Sequence, residues 1–306
     1  MDFGELSWSI TFARLREDFP VSFTQVSALL QSLVSLIVLV GALSANELQQ
    51  NIEYANVGGE SLRLDASVPE GDGPYPVAIL IHGGGWGGGD KAREHVPPTQ
   101  PLTDARFTWF SINYRLAPAH RWPACIDDVR TAIRWVKANA ARYQGDPERI
   151  ALVGYSAGGH LAAYAAATAG DDTQVQAVVV FAGPTDLEAD CQRRGAVSPA
   201  LQALFNRGPT IDDDARALLR DASPIERVTA AAPPCLLIHG TVDESVPYAQ
   251  SVNYRRRLRE LGVPCELITI PGGSHPIDRW DSIDKGYRPK LAAMVGWLNS
   301  TLTAKP

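Results

Sequence analysis

The 306-residue chain is poor in the residues that carry metal and redox chemistry, with four cysteines, two methionines and six histidines. The cysteines, Cys125, Cys191, Cys235 and Cys265, stand far apart, so no Cys-x-x-Cys pair is present, and no His-Glu-x-x-His helix occurs either. This leaves neither a zinc-ribbon spacing nor a zincin signature, and the expected cofactor and metal set is none. A basic face is also missing. The net charge is −6, and the one basic cluster, Arg255-Arg256-Arg257 with Arg259, falls on a predicted helix and reads as a solvated face. Nucleic acid is therefore not an expected partner. There are no internal repeats and no low-complexity tracts. The glycines of Gly87-Gly88-Gly89-Asp90-Lys91 are not followed by Lys-Ser/Thr, so a phosphate loop is excluded as well.

Long apolar runs are absent apart from one near the start. Residues 28–45 read ALLQSLVSLIVLVGALSA, densest from Leu33 to Leu43, which is short for a membrane span and has the length of a signal-peptide apolar core. Small residues Ala42, Ser44 and Ala45 follow as a cleavage site requires. The preceding segment is long and acidic for such a signal, which a mis-called start codon would explain. The expectation is a leader over 1–45 and a secreted or periplasmic catalytic domain over 46–306, with no stable membrane insertion after processing. A retained anchor and a cytoplasmic chain with an amphipathic leader are the alternatives. Export would permit the four cysteines to pair. Cys235 and Cys265 each follow a proline and open predicted neighbouring strands, so they are expected close together, as buried free thiols or as a disulfide.

What is abundant is apolar residue, 45% of the chain, in a strand–helix alternation. Strands are predicted near 51–57, 61–67, 76–83, 107–115, 149–156, 176–183, 235–240 and 265–272. Helices are predicted over 123–142, 157–169, 248–261 and 287–302. Continuous apolar strands such as PVAILIHG are those of a mostly parallel sheet covered on both faces. The rhythm stops over 184–232, which reads as an insertion over one end of the sheet, with short helices at 198–206 and 212–221. Asp212-Asp213-Asp214 suits the positive end of the second.

Gly154-Tyr155-Ser156-Ala157-Gly158 joins a buried strand to an alanine-rich helix. A serine on so sharp a turn projects above the strand ends in a strained backbone, and the flanking glycines let the chain double back. The amide of Ala157 can then face a developing oxyanion. His82-Gly83-Gly84-Gly85-Trp86 follows another buried strand, and Gly84 and Gly85 are the expected further donors, each worth ~3–4 kcal/mol of barrier; His82 is read as holding that loop. A nucleophilic serine needs a base. His160 lies on the helix after Ser156 and is expected to point away, and His239 lies inside a strand end. His275, in a mobile turn after the last strand, is the expected base. Asp243 is the first carboxylate after the preceding strand and is expected to accept the Nδ1–H of His275, with Glu244 as the alternative acid.

These motifs, HGGGW, YRLAP (114–118), GYSAGGHLA (154–162), ASPI (222–225), LLIHGTVDESVP (237–247) and PGGSH (271–275), resemble the esterase branch of the α/β-hydrolases over roughly residues 50–300. The resemblance is strongest to the bifunctional feruloyl and acetylxylan esterases, near the hormone-sensitive-lipase-like carboxylesterases. It implies an eight-stranded, mostly parallel sheet, a Ser156–Asp243–His275 triad, and oxyanion donors Gly84, Gly85 and Ala157. The lipase-like group usually has Asp before the nucleophile, where this chain has Tyr155. Tyr114, Arg115, Asp127 and Asp128 are expected to be structural, an arginine paired to a helix carboxylate. Trp86, Tyr155 and Trp122 are candidates to stack on a sugar or aromatic acyl group. The expected substrate is an acetyl or feruloyl ester on a plant polysaccharide or oligosaccharide such as xylan. The alternatives are simple short-chain esters, an aryl-formamide or a peptide, or a catalytically inactive ligand-binding role.

Overall fold

The computed structural model describes residues 47–92, 97 and 99–303. The predicted leader, with its apolar segment 28–45, and His95 lie outside the described residues. Among the described residues no helix is long and apolar enough to cross a membrane.

Eight strands form one sheet: β1 (Glu47–Val57), β2 (Glu60–Val68), β3 (Tyr75–Ile81), β4 (Thr108–Ile112), β5 (Gly145–Tyr155), β6 (Ala177–Phe181), β7 (Cys235–Gly240) and β8 (Cys265–Ile270). Their spatial order is β1-β2-β4-β3-β5-β6-β7-β8. Only β2 runs against its neighbours, pairing antiparallel with β1 and β4, while β4 through β8 are parallel. Parallel neighbours need crossover helices, and those helices cover both faces. That is why Val77 to Ile81 of β3 and Ile150 to Val153 of β5 are buried without alternation.

The helices are α1 (Gln100–Asp104), α2 (Ala124–Asn139), α3 (Ala157–Ala167), α4 (Leu187–Arg194), α5 (Pro199–Phe205), α6 (Asp213–Asp221), α7 (Pro224–Arg227), α8 (Ala249–Glu260), α9 (Trp280–Ile283) and α10 (Tyr287–Thr303). The predicted 123–142 helix divides into α2 and a 3₁₀ turn over Ala140–Tyr143, which ends at Gln144 in the left-handed region, φ 55°. The 184–232 insertion holds four helices, two more than predicted. Asp212 caps α6, its side chain accepting from the Ala215 amide at 2.7 Å.

β4 ends three residues before its predicted limit because side chains take over its neighbours' backbone groups. Asn113 Oδ1 accepts from the Lys91 amide at 2.7 Å, and the Arg115 amide donates to Asp128 Oδ2 at 2.8 Å. Arg115 also grips Asp128 with its guanidinium, Nη2 to Oδ1 at 2.7 Å, so the expected arginine–helix carboxylate pair forms with Asp128. Asp127 instead meets Arg130 at 3.2 Å. All four cysteines are buried free thiols, and Cys235 and Cys265 sit opposite one another as the first residues of β7 and β8.

Candidate active site

The site is built at the carboxyl ends of β3, β5, β7 and β8. Ser156 follows β5 and carries φ 54° and ψ −120°, a left-handed conformation that side chains rarely adopt. Two close approaches hold the turn. A Cβ on Gly154 would stand 2.1 Å from the Gly158 carbonyl oxygen, and one on Gly158 would stand 2.1 Å from the Ile81 oxygen and 2.4 Å from that of His82. The turn thus packs on the end of β3, bringing the HGGGW loop beside the serine. The Ser156 amide is itself fixed, donating to the Phe181 oxygen of β6 at 2.9 Å.

Three side chains from three loops then form a relay. Ser156 Oγ lies 2.9 Å from His275 Nε2, and His275 Nδ1 lies 2.7 Å from Asp243 Oδ2. The carboxylate can only accept, so the imidazole proton sits on Nδ1 and Nε2 is free to take the serine proton. Asp243 Oδ1 accepts from the backbone amides of Ser245 at 2.9 Å and Val246 at 2.8 Å. Burial alone would raise the Asp243 pKa, but hydrogen bonds from His239 and His275 outweigh it and hold the group down at about 2. Glu244, the alternative acid, is exposed.

Among the described residues, His82, His120 and His160 are held by other contacts. His82 stacks on Tyr114 with ring centroids 4.3 Å apart, and Tyr114 donates to the His82 carbonyl at 3.0 Å, which anchors the loop. His120 meets Glu60 at the surface, at 2.6 Å. His160 is fully buried, and burial draws its pKa down to about 4, so it is neutral near pH 7. It accepts from the Trp86 indole N–H at 3.2 Å and donates to the Ala222 oxygen at 2.8 Å, tying the HGGGW loop to the insertion.

A cavity of about 310 Å³ opens beside Ser156. Gly84, Gly85, Ala157 and His275 line it on the reacting side, and the insertion supplies Pro184, Leu187, Ala200 and Leu201 opposite. Gly84 and Gly85 have φ of 109° and 59°, and a Cβ on Gly84 would stand 2.3 Å from the Gly88 oxygen, so the loop folds tightly back at this point. Ala157 is the first residue of α3, its amide at the positive helix end.

The aromatic residues expected to stack on a ligand are held by neighbouring side chains. Trp86 and Tyr155 border the cavity and are only 5% and 3% exposed. The Trp86 indole is edge-on to His160, and Tyr155 tilts against His275 while its hydroxyl donates to the His275 backbone oxygen at 2.9 Å. Trp122 packs against Tyr164 and Phe205. These rings are walls and braces. Phe205 of the insertion packs on Trp122, His160 on Trp86 and His275 on Tyr155.

The insertion also contributes polar groups that the sequence reading did not single out. Asp190 and Arg194, on α4, border the cavity, with Arg194 Nε 2.7 Å from Asp190 Oδ2. Arg194 further donates to the Ser245 backbone oxygen, beside the acid. Their i, i+4 spacing on a helix was the available signal. His239, read from sequence as a strand residue, stands four positions before Asp243 and meets it across the turn after β7.

A family model described as BD-FAE matches residues 64–258. Esterase LipC of Mycobacterium tuberculosis is 38% identical over 240 residues, covering 74% of this chain and 58% of LipC. Esterase LipQ of the same organism is 36% identical over 214 residues, covering 66% of this chain and 50% of LipQ. The chain thus spans little more than half the length of the curated relatives it matches. Among solved structures, a truncated carbohydrate esterase from gut microbiota superposes with a TM-score of 0.73 at 29% identity, covering 86% of this chain and 99% of that one. The eight-stranded, mostly parallel sheet with its flanking helices is the α/β-hydrolase fold. With the family model matched over more than half its length, the chain belongs to the BD-FAE family.

Proposed function

We propose that this protein is a serine hydrolase of carboxylic esters, and that its substrates are short acyl esters on a carbohydrate alcohol, such as acetyl groups on xylan. The observation that carries the proposal is the continuous relay from Ser156 Oγ through His275 to Asp243 at the wall of a small cavity. His275 Nε2 takes the serine proton as Oγ attacks the ester carbonyl. The tetrahedral oxyanion is received by the amides of Gly84, Gly85 and Ala157. Collapse expels the alcohol, protonated by His275, and leaves an acyl-serine. Water, deprotonated by the same nitrogen, repeats the sequence and releases the acid.

The cavity supports a short acyl group. Its volume of about 310 Å³ stands at the lower end of the ~300–1,000 Å³ usual for ligand clefts. A polysaccharide alcohol would then extend outward past Asp190 and Arg194. The carbohydrate esterase among the structural neighbours supports this class. A second reading, hydrolysis of simple short-chain carboxylic esters, is favoured by the apolar wall of Pro184, Leu187, Ala200 and Leu201 and by the mycobacterial esterases. We further propose export, on the apolar segment 28–45, checked by sequencing the N-terminus of the protein recovered outside the cytoplasm.

The decisive comparison is release of acetate and of ferulate from decorated xylan against hydrolysis of p-nitrophenyl acetate, with Ser156→Ala as control. Activity confined to the simple ester would sink the polysaccharide reading alone. Absence of fluorophosphonate labelling at Ser156 would sink both.

A further inference from the structure

His239 takes no step in the chemistry above, yet it is fully buried against the acid. Its Nε2 lies 2.9 Å from the Val246 backbone oxygen and 3.3 Å from Asp243 Oδ2. Its Nδ1 lies 2.7 Å from Ser251 Oγ on α8, and Tyr248 stands edge-on to the ring at 5.8 Å. Nε2 faces two oxygens that can only accept, which places the ring proton there. Nδ1 therefore accepts the hydroxyl proton of Ser251.

We propose that His239, backed by Ser251, is a positioning residue for the acid: it fixes the rotation of the Asp243 carboxylate so that Oδ2 stays aimed at His275 Nδ1. The inference rests on Asp243 being the acid of a Ser156–His275 relay. Four donors then surround the carboxylate. Oδ1 accepts from the Ser245 and Val246 amides and Oδ2 from His275, while the His239 Nε2–H, which donates to the Val246 oxygen, stands 3.3 Å from Oδ2 as a close polar contact. Turning the carboxylate would break these three hydrogen bonds and carry Oδ2 away from the His239 N–H. His275 sits in a loop and is partly exposed, which makes it a weak anchor for the acid. His239 is on β7, paired on both sides by β6 and the edge strand β8 and registered opposite Thr269, and supplies the rigid side of the arrangement. It also holds Val246 at its carbonyl while Asp243 holds the same residue at its amide, and Val246 borders the cavity. An apolar side chain would fill this space without burying two ring nitrogens.

The test uses the full chain with p-nitrophenyl acetate. His239→Phe keeps an aromatic ring and removes both nitrogens. His239→Gln returns an N–H donor near the Nε2 position. Ser251→Ala keeps the imidazole but frees its tautomer. A hydrogen bond to a charged group corresponds to ~10- to 100-fold. His239→Phe is expected to lower kcat by about that factor, with KM within about twofold and Ser156 still labelled by fluorophosphonate. His239→Gln is expected to restore most of the loss, and Ser251→Ala to fall between the two. Wild-type kcat in folded His239→Phe overturns the proposal, as does a His239→Gln enzyme that is folded and equally slow. If His239→Phe does not fold, an unchanged kcat in Ser251→Ala overturns it. Asp243→Asn separates the two levels. An active Asp243→Asn enzyme refutes the acid assignment itself, whereas an inactive one beside a fully active His239→Phe refutes only the role of His239.

Discussion

Replacing Asp243 by Asn tests the relay more sharply than deleting the serine, because the surroundings dictate which way the amide must point. Two backbone N–H groups, of Ser245 and Val246, occupy the Oδ1 position at 2.9 and 2.8 Å. The carbonyl of the new amide is forced there, and its NH₂ is forced into the Oδ2 position, 2.7 Å from His275 Nδ1. Facing a donor, Nδ1 becomes an acceptor and the imidazole proton moves to Nε2. That nitrogen is 2.9 Å from Ser156 Oγ and can no longer take its proton. The serine hydroxyl loses its base while every heavy atom stays close to its place. The expected loss in kcat is ~10,000-fold, or about 5 kcal/mol of barrier. Initial rates on p-nitrophenyl acetate at pH 7.5 read this directly, with thermal unfolding run beside them to show an intact fold. Glu244→Gln, on the exposed neighbour, is expected within about twofold of wild type. An Asp243→Asn enzyme within tenfold of wild type, or a Glu244→Gln enzyme that is dead, would refute the assignment of the acid.

Three further outcomes follow from packing. Gly158→Ala places a methyl 2.1 Å from the Ile81 oxygen, a backbone atom of β3 that cannot swing aside. At about 3 kcal/mol of overpacking the unfolding midpoint should fall by about 6–12 °C, and an unchanged midpoint would show that β3 and α3 are not held as described. Lys91 and Asp65 form an ion pair at 2.8 Å with side chains 6% and 5% exposed. Lys91→Met should cost about 3–5 kcal/mol by stranding the carboxylate, and adding Asp65→Leu should recover much of it; urea unfolding of the single and double variants decides. Burial pushes the Cys125 thiol up to about 12 and raises that of Cys191, and the Cys235 thiol is raised by its hydrogen bond with Cys265 and by burial. No thiol should react with Ellman's reagent in the native protein at pH 8, and all four should react in guanidinium.

The strands most readable from sequence are those buried on both faces. β3 and the Ile150–Val153 part of β5 are continuous apolar runs because helices cover them on each side, whereas the start of β5, Gly145-Asp146-Pro147, carries a turn signal that hides the first residues of the strand. β1 is readable only from residue 51 because Glu47, Gln49 and Gln50 are polar and Leu48 is 52% exposed, so no alternation marks its start at the sheet edge. α4 escaped because it is eight residues long and buries only Leu187 and Cys191, too little for a helical period to register. α7 is a four-residue turn. The relay residues were legible for a different reason. Each stands just past the end of a readable strand, and parallel topology gathers such ends at one edge. Exposure of Trp86 and Tyr155 was not legible, because it depends on how residues far along the chain fold over them. His239 was missed for the same reason: its meeting with Asp243 depends on a turn whose path the residue pattern does not specify.

The bond from Arg194 to the Ser245 backbone joins two parts of the molecule that a designer would treat as separate modules. The segment 184–232 lines the cavity with Pro184, Leu187, Ala200 and Leu201, and the loop after β7 carries Asp243, the acid of the proposed relay. Ser245 offers its oxygen to Arg194 and its amide to Asp243. A strut of this kind makes selectivity and turnover heritable together. Exchanging the insertion for that of a relative, without its matching β7 loop, would change the rate constant along with the substrate range, and a library that varies only the wall would report both effects as one.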